Sequence, residues 1–163
     1  MKPFIHIRKK SAIQLLSVII FIVLLSGTAI GMGRSPKFPN ISIEAQEAKL
    51  SPMIIGSASV FMNISNSGDV EDVLTGARAD IPDTVAEIHD TKDGKMVKVE
   101  KVSIPLKDIV KLKPGGLHIM MFHMPEDIKE GFEFKMHLFF ERSGEREIKV
   151  KLTGVDTHMH MHH

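Results

Sequence analysis

His118 and Met120, separated only by Ile119 in the run Gly115-Gly116-Leu117-His118-Ile119-Met120, put an imidazole and a thioether on one face of a strand, because side chains two positions apart point the same way. A second pair lies upstream, where His89 and Met96 flank Asp93-Gly94, a dipeptide that favours a two-residue hairpin turn. Such a hairpin pairs Lys92 with Lys95, Thr91 with Met96, Asp90 with Val97 and His89 with Lys98. His89 and Met96 then share a face as diagonal neighbours, about 7 to 8 Å apart at the backbone. Two imidazoles and two thioethers form a soft donor set: thioether sulfur favours Cu(I), imidazole accepts either copper oxidation state, and zinc sites rarely use methionine. A blue electron-transfer copper centre needs a cysteine thiolate. The 163 residues include 9 His and 11 Met but no Cys, so the expected chemistry is to hold copper and pass it on. The absence of cysteine also excludes thiol redox chemistry and cysteine nucleophiles.

Each of these residues also has an ordinary role. Methionine fills irregular gaps in cores, and a single histidine in a strand is more often a satisfied polar group than a ligand; their joint spacing is what points to a metal. Met121, His123 and Met124 follow closely and are candidates for auxiliary ligands, although Met121 and Phe122 also suit packing. His137 falls in the Phe134–Phe140 segment and reads as structural. No His-plus-carboxylate cluster stands out beside the four ligand candidates, which speaks against catalytic metal chemistry.

The elements that must position these residues are strands. Ile41–Lys49, Ser57–Ser65, Val70–Arg78, Thr84–His89, Met96–Ile104, Ile109–Leu112, Leu117–Phe122, Glu133–Phe140 and Glu147–Leu152 all have β-type composition, and none carries a helical stripe. Their short, regular spacing predicts an all-β fold, an antiparallel β-sandwich. Asn66-Ser67-Gly68-Asp69 and Asp93-Gly94 are tight-turn signals, and Pro114-Gly115 suits the centre of a type II turn. Val60, Phe61, Phe132, Phe134, Leu138 and Phe140 are the expected core anchors.

Residues 1–33 read differently. Ser11 to Gly33 is a run of 23 residues without charge, preceded by Arg8-Lys9-Lys10; it is long enough as an apolar helix to cross a bilayer, with the basic cluster on the cytoplasmic side. It is either a transmembrane anchor or a signal peptide, since Gly27-Thr28-Ala29 and Ala29-Ile30-Gly31 offer small-x-small cleavage patterns. Both readings export the remainder, to the periplasm or the outer face of the cytoplasmic membrane. No cysteine follows the apolar run, which rules out a lipid-modified cysteine. Residues 34–40 form a linker with Pro36 and Pro39, 41–153 the domain, and 154–163 a flexible tail. From Lys37 onward there are 16 basic and 20 acidic residues, so no basic stripe is available for nucleic acid. The tail holds His158, Met159, His160, Met161, His162 and His163, a composition that chelates metal without a fold and is expected to take a second copper as Cu(I) or Cu(II).

Met96, 21 intervening residues and then His118-x-Met120, with a histidine shortly before Met96, resembles the motif of the periplasmic copper chaperone family called PCuAC. The likeness extends to Ala58-Ser-Val-Phe-Met-Asn-Ile-Ser-Asn-Ser-Gly-Asp69, Asp72-Val-Leu-Thr-Gly-Ala77, Val85-Ala-Glu-Ile-His89, Ile104-Pro105 and Leu112-Lys-Pro-Gly-Gly-Leu-His118, and spans roughly Ile41 to Leu152. The resemblance implies a cupredoxin-like sandwich that binds Cu(I) at an exposed site and supplies it for the CuA centre of cytochrome c oxidase. It implies His89, Met96, His118 and Met120 as the ligands. The family's pattern has ten residues between its first ligand and the middle methionine; here six separate His89 from Met96, and the shortening falls in the hairpin loop. The expected partners are an oxidase subunit or another copper carrier, and the inner membrane if the N-terminal segment is retained. Two other classes remain open: a copper-dependent envelope enzyme, and an anchored scaffold in which His and Met merely pack.

Overall fold

Apolar and polar residues alternate along most of the chain, and the backbone follows that pattern in the computed structural model, which describes residues 37–155. The expected N-terminal segment 1–33, linker residues 34–36 and the tail from 156 onward lie outside the described residues. The ten described strands are β1 (Ile41–Leu50), β2 (Ala58–Asn66), β3 (Asp72–Ala79), β4 (Val85–Lys92), β5 (Lys95–Lys98), β6 (Val102–Ile104), β7 (Asp108–Leu112), β8 (His118–Phe122), β9 (Glu133–Phe140) and β10 (Gly144–Val155). They form one hydrogen-bonded ladder in the order β5-β4-β8-β2-β1-β10-β9-β3-β6. β2 serves two neighbours on one side: Ala58–Val60 pair with β8 and Met62–Asn66 with β7.

The ladder's ends meet across a single core, in which Ile88 and Ile119 share a cluster with Leu74, Val102 and Phe140. β2 contributes Ala58, Val60, Met62 and Ile64, every second residue, as the two-residue period of a strand requires. Each buried aliphatic side chain of this kind contributes roughly 1.5–3 kcal/mol. Asp72 is fully buried; its carboxylate accepts the backbone N–H groups of Val73, Arg142 and Ser143, which ties the start of β3 to the β9–β10 turn.

Three sequence expectations are corrected. The Met96–Ile104 segment is two strands, because after Val99, whose N–H still donates to the Ile88 carbonyl on β4, the chain leaves that edge and crosses to β3 near the opposite end of the ladder. The pairings are not all antiparallel: β1 runs parallel to β10. Phe132, expected in the core, is 38% exposed and stacks on Phe134 instead, since it lies just before β9 begins.

Tight turns match their residues. Asp93 and Gly94 have φ of 50° and 73°, the left-handed pair of a type I′ hairpin. The Gly116 N–H donates to the Lys113 carbonyl and Gly115 has φ 73°, as a type II turn over Pro114-Gly115 demands. Gly68 is required by crowding, since a Cβ there would lie 2.4 Å from the Phe38 carbonyl oxygen and 2.5 Å from the Asn40 nitrogen.

Candidate metal centre

Strands β5, β4, β8 and β2 lie side by side and present one continuous face away from the main core. The hairpin register is the one Asp93-Gly94 dictates: His89 faces Lys98 and Thr91 faces Met96. Between β4 and β8, His89 stands directly opposite His118 and Glu87 opposite Met120. Residues opposed in this way share a face. His118 and Met120 therefore point away from the core cluster that holds Ile119 and Met121.

The imidazole of His118 is 4% exposed, and its Nδ1–H donates to the Gly116 carbonyl at 2.8 Å. In that tautomer, inferred from the hydrogen-bond network, Nε2 carries a lone pair. Nε2 lies 3.3 Å from the sulfur of Met96, which brings a ring nitrogen and a thioether within reach of one ion. Met96 is 40% exposed and opens the site to solvent.

His89 completes a cluster of three. Its ring centroid is 6.0 Å from that of His118 and 5.8 Å from that of Phe122. Its Nε2 lies 3.0 Å from a Glu87 carboxylate oxygen, and the other Glu87 oxygen accepts from Lys98 Nζ at 2.7 Å. The Lys98 hydrogen bond first, and the His89 one second, hold the Glu87 carboxyl below its ordinary range. His89 Nδ1 is buried without a hydrogen-bond partner. An orphaned imidazole nitrogen beside an imidazole and a thioether is what a metal-binding cluster leaves in place, because buried polar atoms are otherwise almost always satisfied.

Met120 stands on the same face, one rung along, fully buried. Its sulfur accepts from the Ser59 hydroxyl at 3.5 Å, and Ser59 is its register partner on β2. Phe61, also buried and outside the main core, packs 6.3 Å from the His118 ring and walls the site from the β2 side. Among the described residues no group of three or more His, Cys, Asp or Glu side chains could hold a metal ion; the candidate set at this face depends on thioether sulfur.

The candidate auxiliary ligands fall elsewhere. Met121 alternates into the core and Met124 joins the same cluster; the backbone N–H of Met124 donates to the Gly56 carbonyl. Neither can turn to the His118 face without emptying its core position. His123 is exposed at φ 60° and shares a surface cleft with Ile54, Ile55, Val85, Glu87 and Phe122. The tail residues His158 to His163 lie outside the described residues. His137 is structural, as its strand position suggests: its two ring nitrogens meet Asp80 and Glu145. Glu87 was overlooked in the sequence, where no carboxylate stood out beside the histidines. The signal was there, since Glu87 is two residues before His89 and therefore on its face.

Comparison with known proteins bears on the fold and the family. A family model described as "Putative lipoprotein LpqE-like" matches residues 41–152. A curated relative, uncharacterized protein RP573 of Rickettsia prowazekii (strain Madrid E), is 34% identical over 73 residues, which cover 42% of this chain and 40% of that one; the chain thus aligns with well under half of that relative's length. Among solved structures, the copper-bound PCuAC domain from PmoF2 is 23% identical with a TM-score of 0.59, covering 73% of this chain and 98% of that domain. The Cu(I) form of DR1885 from Deinococcus radiodurans is 20% identical with a TM-score of 0.53, covering 78% and 84%. The described domain therefore has the fold of PCuAC domains.

Proposed function

The chain belongs to the LpqE-like family, and from that footing we propose that it is a copper chaperone of the cell envelope, not an enzyme. It takes Cu(I) as cargo through His89, Met96, His118 and Met120, and gives it up by ligand exchange to an oxidase subunit assembling its CuA centre or to another copper carrier. The observation that carries this reading is the meeting of His118 Nε2 and Met96 sulfur at 3.3 Å beside a His89 nitrogen that has no hydrogen-bond partner.

The donor chemistry supports the assignment. Two sulfurs and two neutral imidazoles suit a soft monovalent ion better than a hard one. Met96 is the solvent-facing ligand, so an incoming thioether or imidazole would displace it first, while the buried His118 holds the ion. Glu87, the one carboxylate at the site, is taken up by Lys98 and His89, which leaves it poorly placed as a general base for substrate.

The apolar segment before Arg34 places the domain on the outer side of the cytoplasmic membrane, or frees it into the periplasm after cleavage. The matching family model is described as a putative lipoprotein; the uncharged run from Ser11 to Gly33 in this sequence holds no cysteine and is read as an anchor or a cleaved signal. The tail from His158 to His163 binds a second copper.

Elemental analysis tests the proposal directly. The full chain and a chain lacking residues 157–163 are loaded under reducing and under oxidising conditions and dialysed. Both should retain copper at the main site after loading under reducing conditions, and the full chain should retain additional copper. A full chain that keeps no copper would end the chaperone reading in favour of a scaffold.

A further inference from the structure

We propose that Glu87 is a positioning residue for this site: it holds the His89 imidazole in its Nε2–H form and so makes Nδ1 the nitrogen offered to the metal. This rests on the copper site proposed above.

A carboxylate whose other oxygen already accepts from Lys98 can only accept from His89 as well, so the nitrogen facing it carries the hydrogen. In the neutral ring the opposite nitrogen then carries the lone pair, and it is the buried one with no hydrogen-bond partner. The His89 ring cannot easily turn to find another partner, because it packs between the rings of His118 and Phe122. His118 is held in the complementary way: its Nδ1–H is fixed by the Gly116 carbonyl and Nε2 faces Met96. Two histidines directly opposed across β4 and β8 are thus locked in opposite tautomers. Metal-binding histidines generally need such a partner on the second ring nitrogen. Lys98 extends the device: it lies two residues beyond Met96 on β5 and opposite His89, so its ion pair with Glu87 ties the Met96 strand to the group that orients His89.

The test uses the full chain. Long-range proton–nitrogen NMR spectra of the metal-free protein report the His89 tautomer, and competition with a chromophoric chelator reports Cu(I) affinity. The wild-type chain should show His89 protonated at Nε2. Glu87→Leu removes the acceptor; it should lose that preference and weaken Cu(I) binding by about tenfold to a hundredfold. Glu87→Gln keeps an acceptor oxygen and should restore the tautomer and recover most of the affinity. The proposal is overturned by a Glu87→Leu chain that keeps both, by a Glu87→Gln chain that loses both as fully as the leucine variant, or by a wild-type His89 protonated at Nδ1. The last reading decides the matter even where Glu87→Leu does not fold. His118→Ala separates this inference from the copper site itself. If it leaves Cu(I) affinity unchanged, the site is wrong and the inference goes with it; if it abolishes binding while Glu87→Leu does not, only the role of Glu87 fails.

Discussion

Replacing Met96 and Met120 by leucine is one chemical change made at two depths, and the two variants should differ in stability while agreeing in copper affinity. Met96 is 40% exposed on β5, where a swap of similar volume alters stability by no more than about 0.5 kcal/mol. Met120 is fully buried. The change of shape there costs up to about 1.5 kcal/mol, and Ser59, itself buried, loses the sulfur its hydroxyl donates to, at a further cost of about 1 kcal/mol. The Met120→Leu protein should therefore be about 2 kcal/mol less stable, a fall of roughly 8 °C in melting temperature, and Met96→Leu should melt with the wild type. Each variant loses one soft donor and should bind Cu(I) at least about tenfold more weakly, or about 1.4 kcal/mol. Chelator competition and thermal denaturation of the metal-free proteins measure the two effects separately. Unchanged Cu(I) affinity in Met96→Leu would refute the ligand assignment, and a Met120→Leu protein as stable as the wild type would refute the burial reasoning.

Gly68→Ala should destabilise the domain by about 1–3 kcal/mol, because its Cβ would meet the Phe38 carbonyl at 2.4 Å; denaturant unfolding checks this, and an unchanged midpoint would contradict it. His137 is held above its ordinary pKa first by its hydrogen bond to Asp80, against burial, and then by that to Glu145. Its stabilising contribution is complete below the unfolded-state value of about 6.5 and is lost as pH rises through the raised folded value. Asp80 is held low, first by His137 and then by Arg78, so its share is lost on acidification through its lowered value. Melting curves of the wild type and His137→Asn should converge as pH rises above neutrality, and a gap that stays constant would exclude the mechanism.

The hairpin register was legible because Asp93-Gly94 admits essentially one geometry, and that geometry alone aligns His89 with Lys98 and Thr91 with Met96. The shared face of His118 and Met120 followed from the strand period. What escaped was long-range. Val97-Lys98-Val99-Glu100 alternates through the point where β5 ends, so nothing local marks Glu100–Lys101 as a crossing between opposite ends of the ladder. The parallel pairing of β1 with β10 joins strands about a hundred residues apart, beyond the reach of any turn signal. Met121 and Met124 resemble ligands by type and become core residues only through the phase of β8 and the chain that follows it. Glu87 was within reach, as Glu-x-His on a strand already places a carboxylate beside an imidazole.

Met96 rides on β5, the end strand of the described ladder, bonded to β4 alone. Peeling that short strand away breaks few backbone bonds and leaves the core closed, so it belongs to the low-cost openings available to a folded domain. The histidines stay behind on inner strands. On the proposed carrier function, unloading would need only a brief lifting of that flap, at a tempo independent of the domain's global stability; because the Lys98–Glu87 clasp lies near the surface, added salt loosens it and would quicken release.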